Sequence, residues 1–94
     1  MSLSDLRGQI DELDLEIVHL LNRRAAVALK IGMEKRRQEL SSVRDPARER
    51  EVIERAKVSN AGPLTVVGIE RIYREIIEAC SEIQERGGPA CSGQ

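Results

Sequence analysis

Three cations and one acid interrupt an otherwise apolar row. Leu3, Arg7, Ile10, Asp14, Ile17, Leu21, Arg24, Ala28, Ile31 and Lys35 follow one another in alternating steps of four and three, the spacing that keeps side chains on one face of a long helix. Arg7, Arg24 and Lys35 therefore lie on or beside an apolar seam, where an uncompensated cation is expensive to bury. Two arrangements would compensate them. Each could pair inside the protein with Asp14, Asp45 or Glu49, or together they could line a pocket for an anionic ligand. Only one acid, Asp14, shares the seam with the three cations, which weakens the first arrangement.

Reach decides which cations can share a ligand. Arg24 and Lys35 are 11 residues apart, about 20° around a helix and ~16 Å along it. Two long side chains leaning together can grip a small dianion across that distance. Arg7 is 17 residues from Arg24, ~25 Å along a helix, too far to reach the same molecule from the same chain. In an antiparallel pair of chains, Arg7 of one copy approaches Arg24 and Lys35 of the other. The spacing thus leads to a composite site with one arginine donated across an interface. Cys80 and Gln84, four apart on one face, continue the row from Ile76 and could line such a site. Arg48 and Glu49 sit at the start of a helix opened by Asp45-Pro46, whose free N–H groups attract anions. Taken alone, Gln84 also fits an exposed residue near a helix end, and Arg48 and Glu49 a solvated first turn.

These side chains require long helices to hold them. The first is expected from Ser4 or Asp5, either of which can cap it, to about Leu40 without a proline. Gly8 and Gly32 weaken it without breaking it. Ser41 to Arg44 reads as a loop. Asp45 then caps a second helix, with Pro46 at a first position where its missing N–H costs nothing, running to about Ser59. Asn60-Ala61-Gly62-Pro63 reads as a stop and turn. A third helix starts at Leu64 or Thr65, carries Ile69, Ile72, Ile76, Ala79 and Ile83 on one face, and ends at Gly87-Gly88-Pro89. The expectation is an all-α protein of three helices, one very long, with residues 1–86 forming a single helical domain and 87–94 a flexible tail. The first helix would be ~54 Å long, against a diameter of ~30–35 Å for a compact globule of this size. Two shorter helices cannot cover both halves of such a rod. A second copy related by two-fold symmetry is the simplest cover.

Composition removes several classes of function. The chain has 94 residues, 15 basic and 16 acidic, for a net charge of -1, without the basic excess of a nucleic-acid binder. Tyr73 is its one aromatic residue, so bases would find nothing to stack on; it reads as a packing residue with a wet hydroxyl. No apolar run approaches the ~20 residues of a membrane span, and Met1 to Asp5 lacks the pattern of a secretion signal. A cytoplasmic protein without membrane or nucleic-acid partners is expected. Cys80 and Cys91 read as free thiols. His19 is the single histidine and reads as a surface residue; no Cys/His spacing suggests a metal site. Arg36 and Arg37 read as solvated side chains that complement the first helix's dipole.

The residues also resemble a known family. Leu6-Arg7-x-x-Ile10-Asp11-x-Leu13-Asp14, Leu21-Asn22-Arg23-Arg24, Lys30-Ile31-Gly32-x-x-Lys35, Val43-Arg44-Asp45-Pro46-x-Arg48-Glu49 and Ile76-Ile77-Glu78-Ala79-Cys80-x-x-Ile83-Gln84 occur in this order, and the pattern is similar to that of the all-helical chorismate mutases. The resemblance implies an intertwined homodimer with two equivalent sites and a Claisen rearrangement of chorismate to prephenate, on the route to Phe and Tyr, with no cofactor or metal. It implies substrate-binding roles for Arg7 of the partner chain, Arg24, Lys35, Asp45, Arg48, Glu49 and Gln84. Arg24, Lys35 and Gln84 would act on the reacting atoms. The position of Cys80 is often serine in relatives, and a thiol is the poorer hydrogen-bond partner.

Two other functions share parts of this pattern. Isochorismate pyruvate lyase has the same fold and a similar cationic pocket, but tends to lack a carboxylate at the position of Glu49. A helical dimerisation or regulatory module without catalysis would tolerate replacements along the seam, whereas Arg24, Lys35, Glu49 and Gln84 are all present.

Overall fold

A computed structural model describes residues 1–40 and 44–86. Most of the expected loop at 41–44, the tail at 87–94 and Cys91 lie outside the described residues. Within them the chain forms three helices: α1 (Leu3–Arg37), α2 (Pro46–Ser59) and α3 (Val66–Arg86).

Local chemistry sets each boundary. α1 starts two or three residues earlier than Ser4 or Asp5 would place it. Ser2 is the N-cap: its Oγ accepts from the Asp5 N–H at 3.1 Å, and the Asp5 carboxylate accepts from the Ser2 N–H at 3.3 Å, so two end groups are satisfied at once. α1 also stops before Leu40. The Leu40 N–H donates to the Lys35 carbonyl at 2.7 Å and the Glu39 N–H to the Arg36 carbonyl at 3.0 Å. Glu39 adopts φ 58°, the left-handed turn that closes a helix C-terminus and is usually given to glycine. Asp45 caps α2 by accepting from the Arg48 N–H at 3.2 Å, with Pro46 in the first turn. Thr65 precedes α3 as its cap, accepting from the Gly68 N–H at 2.9 Å.

α3 is the middle element. It packs on α1 and on α2, while α1 and α2 scarcely touch. α1 and α3 approach closely at Gly32, where an added Cβ would stand 2.6 Å from the Gln84 carbonyl oxygen. Only a residue without a side chain allows the two backbones to meet there. Arg36 donates to the same carbonyl at 3.3 Å and is half-buried, so it is not the solvated residue expected. α2 is tied to α3 at the opposite end: Lys57 pairs with Glu70 at 2.6 Å, and Arg74 reaches the same carboxylate at 2.8 Å.

The buried core is small: Ala28, Ile53, Ile77 and Cys80, with Gly32 beside them. On α3 the apolar stripe read from sequence is not the buried row. The buried row is Ile77 and Cys80, whereas Ile72 and Ala79 are exposed and Ile76 and Ile83 half-buried. Nothing from Met1 to Arg23 is buried at all. Leu6, Ile10, Leu13 and Ile17 stand 44–56% exposed along a helix that projects past its neighbours. The molecule measures 55 × 31 × 14 Å, with a radius of gyration of 16.6 Å, where a compact chain of this length has about 12 Å. No helix among the described residues is long and apolar enough to cross a membrane.

Two measurements test this packing. Gly32→Ala is expected to cost about 1–3 kcal/mol in chemical denaturation, the usual range for forcing atoms into a filled contact. Glu70 tests the α2–α3 tie. Hydrogen bonds from Lys57, then from Arg74, push its pKa down from 4.5 to about 2. A lowered carboxylate pKa stabilises the fold above the unfolded value, and that contribution is lost as pH falls through the folded value. Glu70→Gln should therefore lower the thermal midpoint near neutral pH, and the difference from the parent should vanish between pH 4.5 and about 2.

Candidate active site

Because α1 and α2 diverge while both rest on α3, a gap opens between them. It forms a cavity of about 530 Å³, within the range of small-molecule sites. α1 lines it with Arg24, Val27, Ala28, Ile31 and Lys35. The start of α2 supplies Asp45, Arg48, Glu49 and Val52, and α3 supplies Ile77, Cys80, Ser81 and Gln84. Seven of the eight residues singled out from sequence thus share one cavity. The eighth, Arg7, is exposed on the projecting half of α1 and does not line the cavity of its own chain.

The wall is polar at its ends and apolar between them. Arg24 and Lys35 lie three helical turns apart on α1 and are half-buried. Among the described residues neither side chain makes a hydrogen bond or an ion pair. The first of the two arrangements, internal pairs with Asp14, Asp45 or Glu49, is therefore not the one formed by these two cations. The Asp45 carboxylate caps α2, and Glu49 is held by a different cation, Arg44. Its Nε and Nη2 donate to the two Glu49 oxygens at 2.8 and 3.0 Å, and its Nη1 donates to Glu78 on α3. These contacts, led by Glu49, hold the Arg44 guanidinium more firmly protonated than usual. Arg48 pairs with Glu51, not with Asp45 or Glu49. Gln84 is half-buried, so it is not a frayed-end residue; its carbonyl is held by Arg36 and packed against Gly32. Cys80 is a buried free thiol at the cavity floor.

Arg44 is the cavity residue that sequence reasoning passed over. The available signal was its place one residue before a helix cap and five before an acid on the first turn, a spacing at which a long side chain can fold back over the helix start. Among the described residues no group of three His, Cys, Asp or Glu is placed to hold a metal ion.

A second opening lies on the other side of α3. It has about 940 Å³ and is mainly apolar, lined by Leu21 and Ala25 of α1 and by Gly68, Ile72, Ile76, Ala79 and Ile83 of α3. The expected apolar stripe of α3 faces this groove, which no described residue of the same chain fills. The fold and the cavity together define an all-helical protein with an unneutralised cationic pocket suited to a small anion.

Comparison with known proteins gives the same class a family. Residues 6–85 match the family described as Chorismate mutase type II. Among curated proteins, the chain is 39% identical over 88 residues to a bifunctional chorismate mutase/prephenate dehydratase of Aquifex aeolicus, covering 89% of this chain and 24% of the relative. It is 37% identical over 78 residues to the enzyme of the same description from Neisseria gonorrhoeae, covering 83% and 21%. The chain thus spans less than a quarter of the length of these relatives. Among solved structures, a chorismate mutase (form II) of Thermus thermophilus superposes with a TM-score of 0.85 at 30% identity, covering 89% of this chain and 94% of that one. A chorismate mutase of Helicobacter pylori in complex with prephenate superposes with a TM-score of 0.81 at 33% identity, covering 90% and 91%. The chain belongs to the chorismate mutase type II family.

Unpaired cations beside apolar groups do not stabilise a fold. Lys35→Met, which removes one and keeps most of its length, should leave unfolding stability within about 0.5 kcal/mol of the parent or raise it. Denaturant titration of the two proteins without ligand decides this. A loss above 2 kcal/mol would mean that Lys35 holds the fold together.

Proposed function

We propose that this protein catalyses the rearrangement of chorismate to prephenate as a cytoplasmic homodimer, with residues 1–86 as its catalytic domain. One observation carries the reading: Arg24 and Lys35, without partners among the described residues, face one cavity together with Glu49 and Gln84. Membership of the family supports it.

The reaction is a [3,3] shift. It breaks a C–O bond and forms a C–C bond with no proton transfer and no nucleophile. The protein has to hold a flexible dianion in its chair-like reactive shape. Arg24, and Arg7 from the partner chain, bind carboxylates through the planar guanidinium fork. As the C–O bond lengthens, negative charge gathers on the ether oxygen. Lys35 and the Gln84 amide donate hydrogen bonds there, and such bonds strengthen most in the transition state. Glu49 accepts the ring hydroxyl, beside the backbone at Asp45, and Arg48 adds to the positive field. Cys80 lines the floor against the substrate.

The dimer follows from covering two surfaces at once. The projecting half of α1 carries a bare apolar row, and the groove between α1 and α3 is mainly apolar and unfilled by the described residues. Exchange of α1 halves between two copies fills both, and brings Arg7 of each chain towards the other's cavity.

Turnover of chorismate by the purified protein, with isochorismate as the competing substrate, tests the reaction. Pyruvate release from isochorismate without prephenate formation would replace the mutase by the lyase. Within the mutase reading, Lys35→Met should lower kcat by about 100–1,000-fold, as for loss of one transition-state donor. Mixing subunits tests the shared site. Arg7→Ala and Arg24→Ala homodimers should each be nearly inactive. In a mixed dimer one site carries both lesions and the other carries neither. Random exchange makes about half of the dimers mixed, so about a quarter of the parental site activity should return. Mixed dimers, verified by native mass spectrometry, that stay as inactive as their parents would mean that Arg7 and Arg24 serve the site of their own chain, or that neither serves the substrate.

A further inference from the structure

We propose that Arg44 is a positioning residue of the mutase site, orienting and neutralising the Glu49 carboxylate from an anchor on Glu78. This rests on the reading of chorismate as the substrate. Arg44 lies outside α2, one residue before its cap, so its own helix does not fix it. Its guanidinium is fixed instead at two points. One edge spans both Glu49 oxygens at 2.8 and 3.0 Å, and the remaining nitrogen holds Glu78 on α3. A fork on both oxygens sets the plane of a carboxylate, which a single bond does not. Each oxygen keeps a further lone pair, so Glu49 can still accept a hydroxyl at the cavity wall.

The charge balance asks for the same contact. Glu49 lines the cavity with its side chain 26% exposed, and a bare carboxylate there repels a substrate that carries two. Arg44 cancels that charge while leaving the acceptor in place. Arg48, the nearer cation in sequence, is engaged by Glu51 and does not do this. A clip whose only task was to tie the start of α2 to α3 would need Glu78 alone. The second contact engages an acid of the cavity, and that is the mark of a role in the site.

The test is a double-mutant cycle on the full chain, read as steady-state turnover of chorismate. Arg44→Met should lower kcat/KM by about tenfold when Glu49 is present, and by less than about twofold in Glu49→Gln, where no carboxylate remains to be held. Part of the first loss should appear in KM, because an uncovered Glu49 repels the dianion. Arg44→Lys keeps the charge and lacks the fork. It goes through the same cycle in case Arg44→Met does not fold, and there the loss should fall mainly on kcat. Equal losses with and without Glu49 for the variant that folds would overturn the proposal, leaving Arg44 as a structural clip. A parent protein that does not turn over chorismate would remove the substrate reading and the role of Arg44 with it, a result separable from additivity in an active parent.

Discussion

α1 contains 35 residues, whereas α2 and α3 contain 14 and 21. Helices of those lengths, folded back along a rod of about 52 Å, reach only its C-terminal half. Every later feature depends on that shortfall. The covered half meets α3 at Gly32 and carries Arg24 and Lys35 into the gap beside α2. The uncovered half leaves a row of Leu and Ile in water and Arg7 far from the cavity. A core of four buried hydrophobic residues among those described is small for a chain that must offset the conformational entropy of three helices. The same shortage that weakens the single chain creates the surface on which a second copy would complete it.

Pairing of charges then separates the structural cations from the remaining ones. Arg37 goes to Glu34, Arg48 to Glu51, Lys57 and Arg74 to Glu70, and Arg44 to Glu49 and Glu78. Arg24 and Lys35 are passed over, although both are half-buried. Exposed ion pairs contribute little to stability, so these pairs matter less for their energy than for what they leave available. In the proposed reaction the bare cations meet the substrate's carboxylates and ether oxygen, while Glu49 is held as a neutralised acceptor.

Much of this could be read from the chain alone, and the failures share a cause. Asp45-Pro46, the turn at Asn60-Gly62 and the seam from Arg24 to Lys35 were legible because each rests on neighbours within about four residues. The end of α1 was not, since Glu39 takes a left-handed conformation that local preference assigns to glycine. The buried face of α3 was not, since Ile76 and Ile77 are equally apolar and stand only about 100° apart around the helix. The ion pairs were not, since a long cation such as Arg44 has several acids within reach.

Local sequence is enough for three helices, the Asp45 cap of α2, a rod too long for its own chain and a line of cations along it. These follow from a fixed helical period and from hydrogen bonds between near neighbours. Tertiary structure alone decided that Ile77 and Cys80 face inward, that Gly32 lets α1 touch the Gln84 backbone, that Arg36 joins that contact and that Arg44 holds Glu49. Each of these depends on how closely two helices distant in sequence approach, and that distance is set by the side chains that meet, not by those that neighbour one another along the chain.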